Sequence, residues 1–257
     1  MKSNKKLSHQ RGFTLVEMTI VLVIIGLILG AVTIGKDVQR NAEYAKIKQK
    51  FFDQWVLAYN AYDQRTGVVP GDNQTAPQMM VNGANFANPS GGDMTKVATP
   101  DAICHGSAAP KMARAMQAGA PFDLRTMMQK AGVRMPAGRA EGSEDRYVYL
   151  DTNGNPQEIQ VCFQWNPPGT PSGAGNVMVI SGLTPDLARM LDQMIDGKAD
   201  AQQGMFRQEG VALGTANVPG SEWTITNQQK YGDAVGTISN RDEDQVATVI
   251  AEYKMNE

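Results

Sequence analysis

The chain has 257 residues, of which 42% are hydrophobic, and its 24 basic and 26 acidic residues leave a formal net charge of −2. That is enough chain for one sizeable domain, and a mean hydropathy of −0.34 excludes a polytopic membrane protein. Lys2, Lys5, Lys6 and Arg11 place four basic residues and no acidic one in the first twelve positions, so residues 13–257 carry −6. An acidic body lacks the clustered Lys and Arg that neutralise phosphates, which argues against nucleic-acid binding.

Residues 13–34 read FTLVEMTIVLVIIGLILGAVTI, with Glu17 as the single charge. As an α-helix this run spans about 33 Å, enough to cross the hydrocarbon core of a bilayer. The basic flank before it predicts a cytoplasmic N-terminus and a body on the far side. A secretory signal peptide would close its apolar run with a small-residue cleavage site. Here the run continues into Gly35-Lys36-Asp37-Val38-Gln39-Arg40 with no such pattern. A plain anchor leaves Glu17 unexplained, because a carboxylate within a membrane helix is costly and usually has a partner. Gly26 and Gly30 form a small-xxx-small pair that lets helices approach closely, although glycine is common in membrane helices generally.

Gly12-Phe13-Thr14-Leu15-Val16-Glu17 behind a short basic leader resembles the prepilin cleavage and methylation motif of type IV pilins and type II secretion pseudopilins. The resemblance is close over residues 1–70 and loose beyond. It implies that a membrane-embedded prepilin peptidase cuts between Gly12 and Phe13 and then methylates the new amine of Phe13. Glycine suits the cut because a residue with no side chain enters a tight cleft in extended form. The resemblance also implies an assembly role for Glu17, whose carboxylate would neutralise the terminal amine of a neighbouring subunit. The implied partners are other pilin-like subunits, the peptidase, an inner-membrane assembly platform and membrane lipid. The implied location is the bacterial inner membrane, single-pass, with the head in the periplasm, and then a filament. The organisation expected is a leader (1–12), a transmembrane helix (13–35), an amphipathic helix entering the head (36–67) and a globular head (68–257). The fold class is α+β, a long N-terminal helix packed on a small antiparallel sheet with additional short helices.

Past the apolar run, Tyr44, Ile47, Phe51, Trp55, Ala58 and Tyr62 recur at steps of three or four, a helix face that reads as core. Gly67 is the expected C-cap, and Pro70 keeps the helix from resuming. Val69-Pro70-Gly71-Asp72 is a turn signal. Residues 73–110 are loop-rich in composition, and 111–117 and 122–131 carry short helical patterns. Tyr147, Tyr149, Ile159, Val161 and Phe163 alternate around Asp151-Thr152-Asn153-Gly154-Asn155-Pro156, which predicts a hairpin. The same residues begin like a calcium loop, but Pro156 and Cys162 stand where Gly and Glu belong. A third strand is expected over 176–181. Thr184-Pro185-Asp186 is a helix start, with Leu187, Met190, Leu191 and Met194 as its apolar face and Gly197 as its end. Asp192, Asp196 and Asp200 read as a solvated acidic face, with a cation site as the alternative. Val246, Val249, Ile250 and Tyr253 follow helix spacing behind Asp242-Glu243-Asp244, which predicts a closing helix over 241–253.

The chain has two cysteines, Cys104 and Cys162. With the body outside the cytoplasm, a disulfide is the favoured reading, worth roughly 4 kcal/mol for a loop of about 58 residues. The alternative is two buried thiols. Cys104-His105 has no second ligand pair spaced for zinc, and no phosphate-binding loop or G-x-S-x-G occurs. The sequence therefore presents no catalytic site, metal site or cofactor motif. Removal of the leader leaves 245 residues, longer than a usual major pilin. With Cys162 as the last cysteine, this favours a minor pilin or an atypical pseudopilin. The competing reading is a membrane-anchored extracytoplasmic binding protein that never polymerises.

Overall fold

The structure is a computed structural model, and it describes residues 14–72, 74, 77, 79–81, 124–166, 168–215, 218–224 and 248–255. The leader, the pattern at 111–117 and the pair Cys104-His105 lie outside the described residues. The chain divides into two compact units, at Glu43 and Tyr44.

In the first unit α1 (Leu15–Ile47) begins, and its apolar run is long enough to cross a membrane, with a mean hydropathy of 2.7 over its best window. None of that window is buried; Leu15 and Leu27 are 81% and 70% exposed. A leucine-rich surface of this kind is unfavourable in water and suited to lipid.

The helix is continuous to Thr66, and its second half belongs to the second unit. α1 passes into a π turn (Lys48–Phe52) and then into α2 (Asp53–Thr66). Side-chain bonds follow the wider π spacing. Lys48 Nζ reaches Asp53 Oδ1, five residues on, at 2.8 Å, and Gln54 Nε2 reaches the Gln49 carbonyl at 3.4 Å. The aromatic stripe is core as expected, and it gains Phe52 and Tyr59, both buried. α2 ends at Gly67 in the left-handed region (φ 76°), whose N–H donates to the Asp63 carbonyl.

The five-stranded antiparallel sheet comprises β1 (Arg146–Leu150), β2 (Pro156–Asn166), β3 (Gly175–Leu183), β4 (Phe206–Gln208) and β5 (Val249–Lys254), in the order β1-β2-β3-β5-β4. One face takes the helix stripe. Phe51 meets Tyr147 of β1 (ring centroids 5.4 Å apart), Trp55 and Tyr59 meet Phe163 of β2, and Phe52 meets Tyr253 of β5 at 5.0 Å. Aromatic pairs at these distances add modestly to the large area they bury. The Trp55 indole N–H is satisfied by the Glu144 carbonyl.

The hairpin stands where expected, with Leu150 opposite Pro156. The third strand is longer than expected, and α3 (Leu124–Lys130) falls within 122–131. α4 (Pro185–Asp196) starts with the Thr184 hydroxyl accepting from the Leu187 N–H and stops at Gly197. The closing helix is corrected for its described part, because Val249–Lys254 is strand β5, paired with both β3 and β4. Val249, Ile250 and Tyr253 keep helical spacing rather than strand alternation, and the strand accommodates adjacent Val249 and Ile250 because both of its faces are buried there. The vacant slot between β3 and β4, together with the β-branched residues, decides for strand. β4 has three residues, too few to leave a periodic signal.

Gly182 sits at the irregularity between Ile180 and Leu183 in the β3–β5 pairing. Its φ is +79°, and an added Cβ would stand 2.0 Å from the Glu158 carbonyl oxygen. Tyr149 secures the same point, donating to the Gly182 carbonyl and accepting from the Thr184 N–H; burial pushes its hydroxyl pKa up to about 12. Gly182→Ala is expected to cost roughly 2–4 kcal/mol through the forbidden φ and the backbone clash. Denaturant unfolding of the full chain in detergent checks this.

Candidate functional site

Among the described residues, polar groups in the apolar helix concentrate at its start. Thr14 is followed three residues later by Glu17, and the two cap the helix reciprocally. The Thr14 N–H and hydroxyl both donate to Glu17 Oε2, at 2.7 and 2.9 Å, and the Glu17 N–H donates to Thr14 Oγ1 at 3.3 Å. This is a capping box, which satisfies helix donors that otherwise lack partners. It matters more in lipid, where water cannot supply them. Oε1 of Glu17 takes no hydrogen bond among the described residues. The capping role of Thr14 was readable from the T-x-x-E spacing, although the motif resemblance draws attention to Glu17 alone. Gly12 and Phe13 lie outside the described residues. Gly26, Gly30 and Gly35 have nothing within 4 Å of an added Cβ among the described residues, so their small size answers no contact there.

In the head, the acidic turn motifs are occupied by main-chain donors. The Asp72 N–H closes the turn onto the Val69 carbonyl, with Gly71 at φ 83°, and the buried Asp72 carboxylate accepts from the Met79 N–H. In the hairpin, Asp151 Oδ1 accepts from the Asn153 and Asn155 N–H groups at 2.8 Å. That carboxylate organises a turn.

Asp192, Asp196 and Asp200 lie at the C-terminal half of α4 and in the loop after it. They are more than a solvated face. Asp192 is fully buried, and its Oδ2 accepts from the Trp223 indole N–H at 2.9 Å and the Asp200 N–H at 2.7 Å. Asp196 accepts from the Met205 and Phe206 N–H groups, and Asp200 from those of Gln202 and Gln203. Three carboxylates thus pin the stretch 197–206 through its backbone. Among the described residues, no group of three His, Cys, Asp or Glu is arranged to hold a metal ion.

The sheet face opposite the helix mixes buried Val177 and Val179 with a polar cluster. Glu252 of β5 accepts from Asn166 Nδ2 at 2.8 Å and from the Ser172 hydroxyl at 2.5 Å, with Gln164 Nε2 at 3.4 Å. Cys162 lies on this face by alternation along β2 and is fully buried. No described cysteine is free, and Cys104 is outside the described residues. Asp196→Ala would leave two N–H groups without an acceptor, and a loss of roughly 1–3 kcal/mol is expected. Thermal unfolding of the variant checks this, and millimolar calcium should leave the wild-type midpoint where it is.

Residues 7–33 match the family described as the prokaryotic N-terminal methylation motif. No curated protein matches the chain, and no solved structure matches it. The match runs from the leader through Glu17 and most of the apolar helix, so this chain carries a prepilin-type N-terminal methylation motif on a helix able to cross a membrane.

Proposed function

We propose that this protein is a structural filament subunit, a minor pilin or pseudopilin of a type IV pilus-like or type II secretion assembly. The observation that carries the proposal is the methylation motif at 7–33 on a single apolar helix. A prepilin peptidase cuts between Gly12 and Phe13 on the cytoplasmic side and methylates the amine of Phe13. The cut removes the basic leader, while the helix stays in the inner membrane with the head in the periplasm.

Processing leaves a positive amine in an apolar layer. Desolvation makes a lone charge there unfavourable, and an opposite charge offsets much of that cost. Glu17 supplies the opposite charge. Its Oε2 is engaged by Thr14, which fixes the side chain and leaves Oε1 open to the amine of a neighbouring subunit. The pair sets the axial register of the subunits in a filament grown from the assembly platform. Buried Cys162, not free, is bonded to Cys104, tying the segment around Cys104 to β2.

Glu17→Ala should insert in the membrane and be processed normally, yet fall at least tenfold in sheared filaments relative to wild type. Normal amounts of the variant in those filaments would refute the assembly role. Cysteines placed near Phe13 should also cross-link between copies of the chain. Failure of wild-type copies to cross-link would favour an anchored protein that does not polymerise.

A further inference from the structure

Asp192 is the buried carboxylate on which the α4 region converges. It joins α4 to the Asp200 N–H of the following loop and to Trp223 of the stretch 218–224. Trp223 packs on Phe206 at 5.2 Å, and Phe206 packs on Phe52 of the long helix at 6.0 Å. Of the two Asp192 oxygens, Oδ2 has both donors, and Oδ1 is buried with no hydrogen-bond partner among the described residues.

The charged groups around Asp192 do not favour its ionised form. Asp196 and Asp200 both face it with like charge. The nearby cations are committed elsewhere. Lys198 pairs with Asp200 at 3.0 Å, and Arg189 holds Asp186, Glu222 and the Trp223 carbonyl. Arg207 donates to the Gly204 and Ser172 carbonyls. A buried carboxylate that among the described residues has one partnerless oxygen, two acidic neighbours and no paired cation keeps its proton to a higher pH than an exposed one, the two N–H donors offsetting only part of this.

We propose that Asp192 is a pH-sensitive latch that holds the 197–206 loop and the Trp223 segment to α4 more tightly when protonated than when ionised. Burial, with the two neighbouring carboxylates, pushes its pKa up to about 7. An unfolded aspartate titrates near pH 3.9, so between about pH 4 and 7 the folded chain binds more protons than the unfolded one. Stability then falls as pH rises through that window and levels off above it. The inference rests on the head alone and stands whether or not the protein forms filaments.

The test is thermal unfolding of the full chain in detergent from pH 5 to 8. The wild-type midpoint should fall by about 4–8 °C across that range, a size typical of a change of a few kcal/mol in a domain of this length. Asp192→Asn keeps an acceptor for Trp223 and the Asp200 N–H and cannot ionise, so its midpoint should fall less than that of wild type, with the carboxyls of Asp145 and Glu209, which burial also pushes up, still titrating, and should exceed wild type at pH 8. An Asp192→Asn midpoint that falls as steeply as wild type would overturn the proposal. Trp223→Phe keeps an aromatic ring and removes a donor to the carboxylate, so the pH at which stability stops falling should lie higher in that variant than in wild type. An unmoved pH there would also overturn it.

Discussion

Backbone N–H and C=O groups have no water to pair with inside a bilayer, so a chain that enters one must satisfy them internally. One helix in this protein meets that demand and also supplies the core of a head. From Leu15 onward it exposes Leu, Ile and Val, and from Tyr44 to Tyr62 it buries aromatic rings against a sheet. The capping box of Thr14 and Glu17 closes the only end of this helix that falls in the apolar run, using side chains in place of water. The head in turn depends on the aromatic stripe, which contacts β1, β2, β4 and β5.

The head manages its polar groups with carboxylates. β4 is an edge strand, and its outward N–H groups at Phe206 and Gln208 go to the Asp196 carboxylate and the Ala201 carbonyl. An edge sealed in this way offers little template for unplanned strand pairing, which matters for a protein proposed to meet its copies in a defined register. Asp72, Asp151, Asp196 and Asp200 follow the same device, each accepting from main-chain donors in a turn or loop. An acidic head composition is therefore partly a structural requirement of its long irregular connections.

The elements legible in the sequence were those written by local rules. The helix to Thr66, its glycine cap, the Pro-Gly-Asp turn, the Asn-Gly hairpin and the Thr-Pro start of α4 each follow from a few adjacent residues. What escaped was set by distant partners. Val249 to Tyr253 satisfies a helical spacing, and only the slot between β3 and β4 makes it a strand. The π turn lets adjacent Phe51 and Phe52 both meet rings, on β1 and β5, that lie far off in the chain. The acidic residues of α4 looked like a solvated face because the donors they serve lie up to 31 positions away, at Trp223. At the N-terminus, Glu17 stood out by its cost in lipid, whereas its partner Thr14 is an ordinary residue until the capping geometry is drawn.

The central claim is that the apolar helix remains on the protein after the basic leader is removed. Mass spectrometry of the N-terminal peptide, from protein extracted from membranes of the producing cell, tests it most directly. The account predicts a chain beginning at Phe13 with a methylated amine. An intact Met1, or a new terminus beyond the apolar run near residue 36, would contradict it.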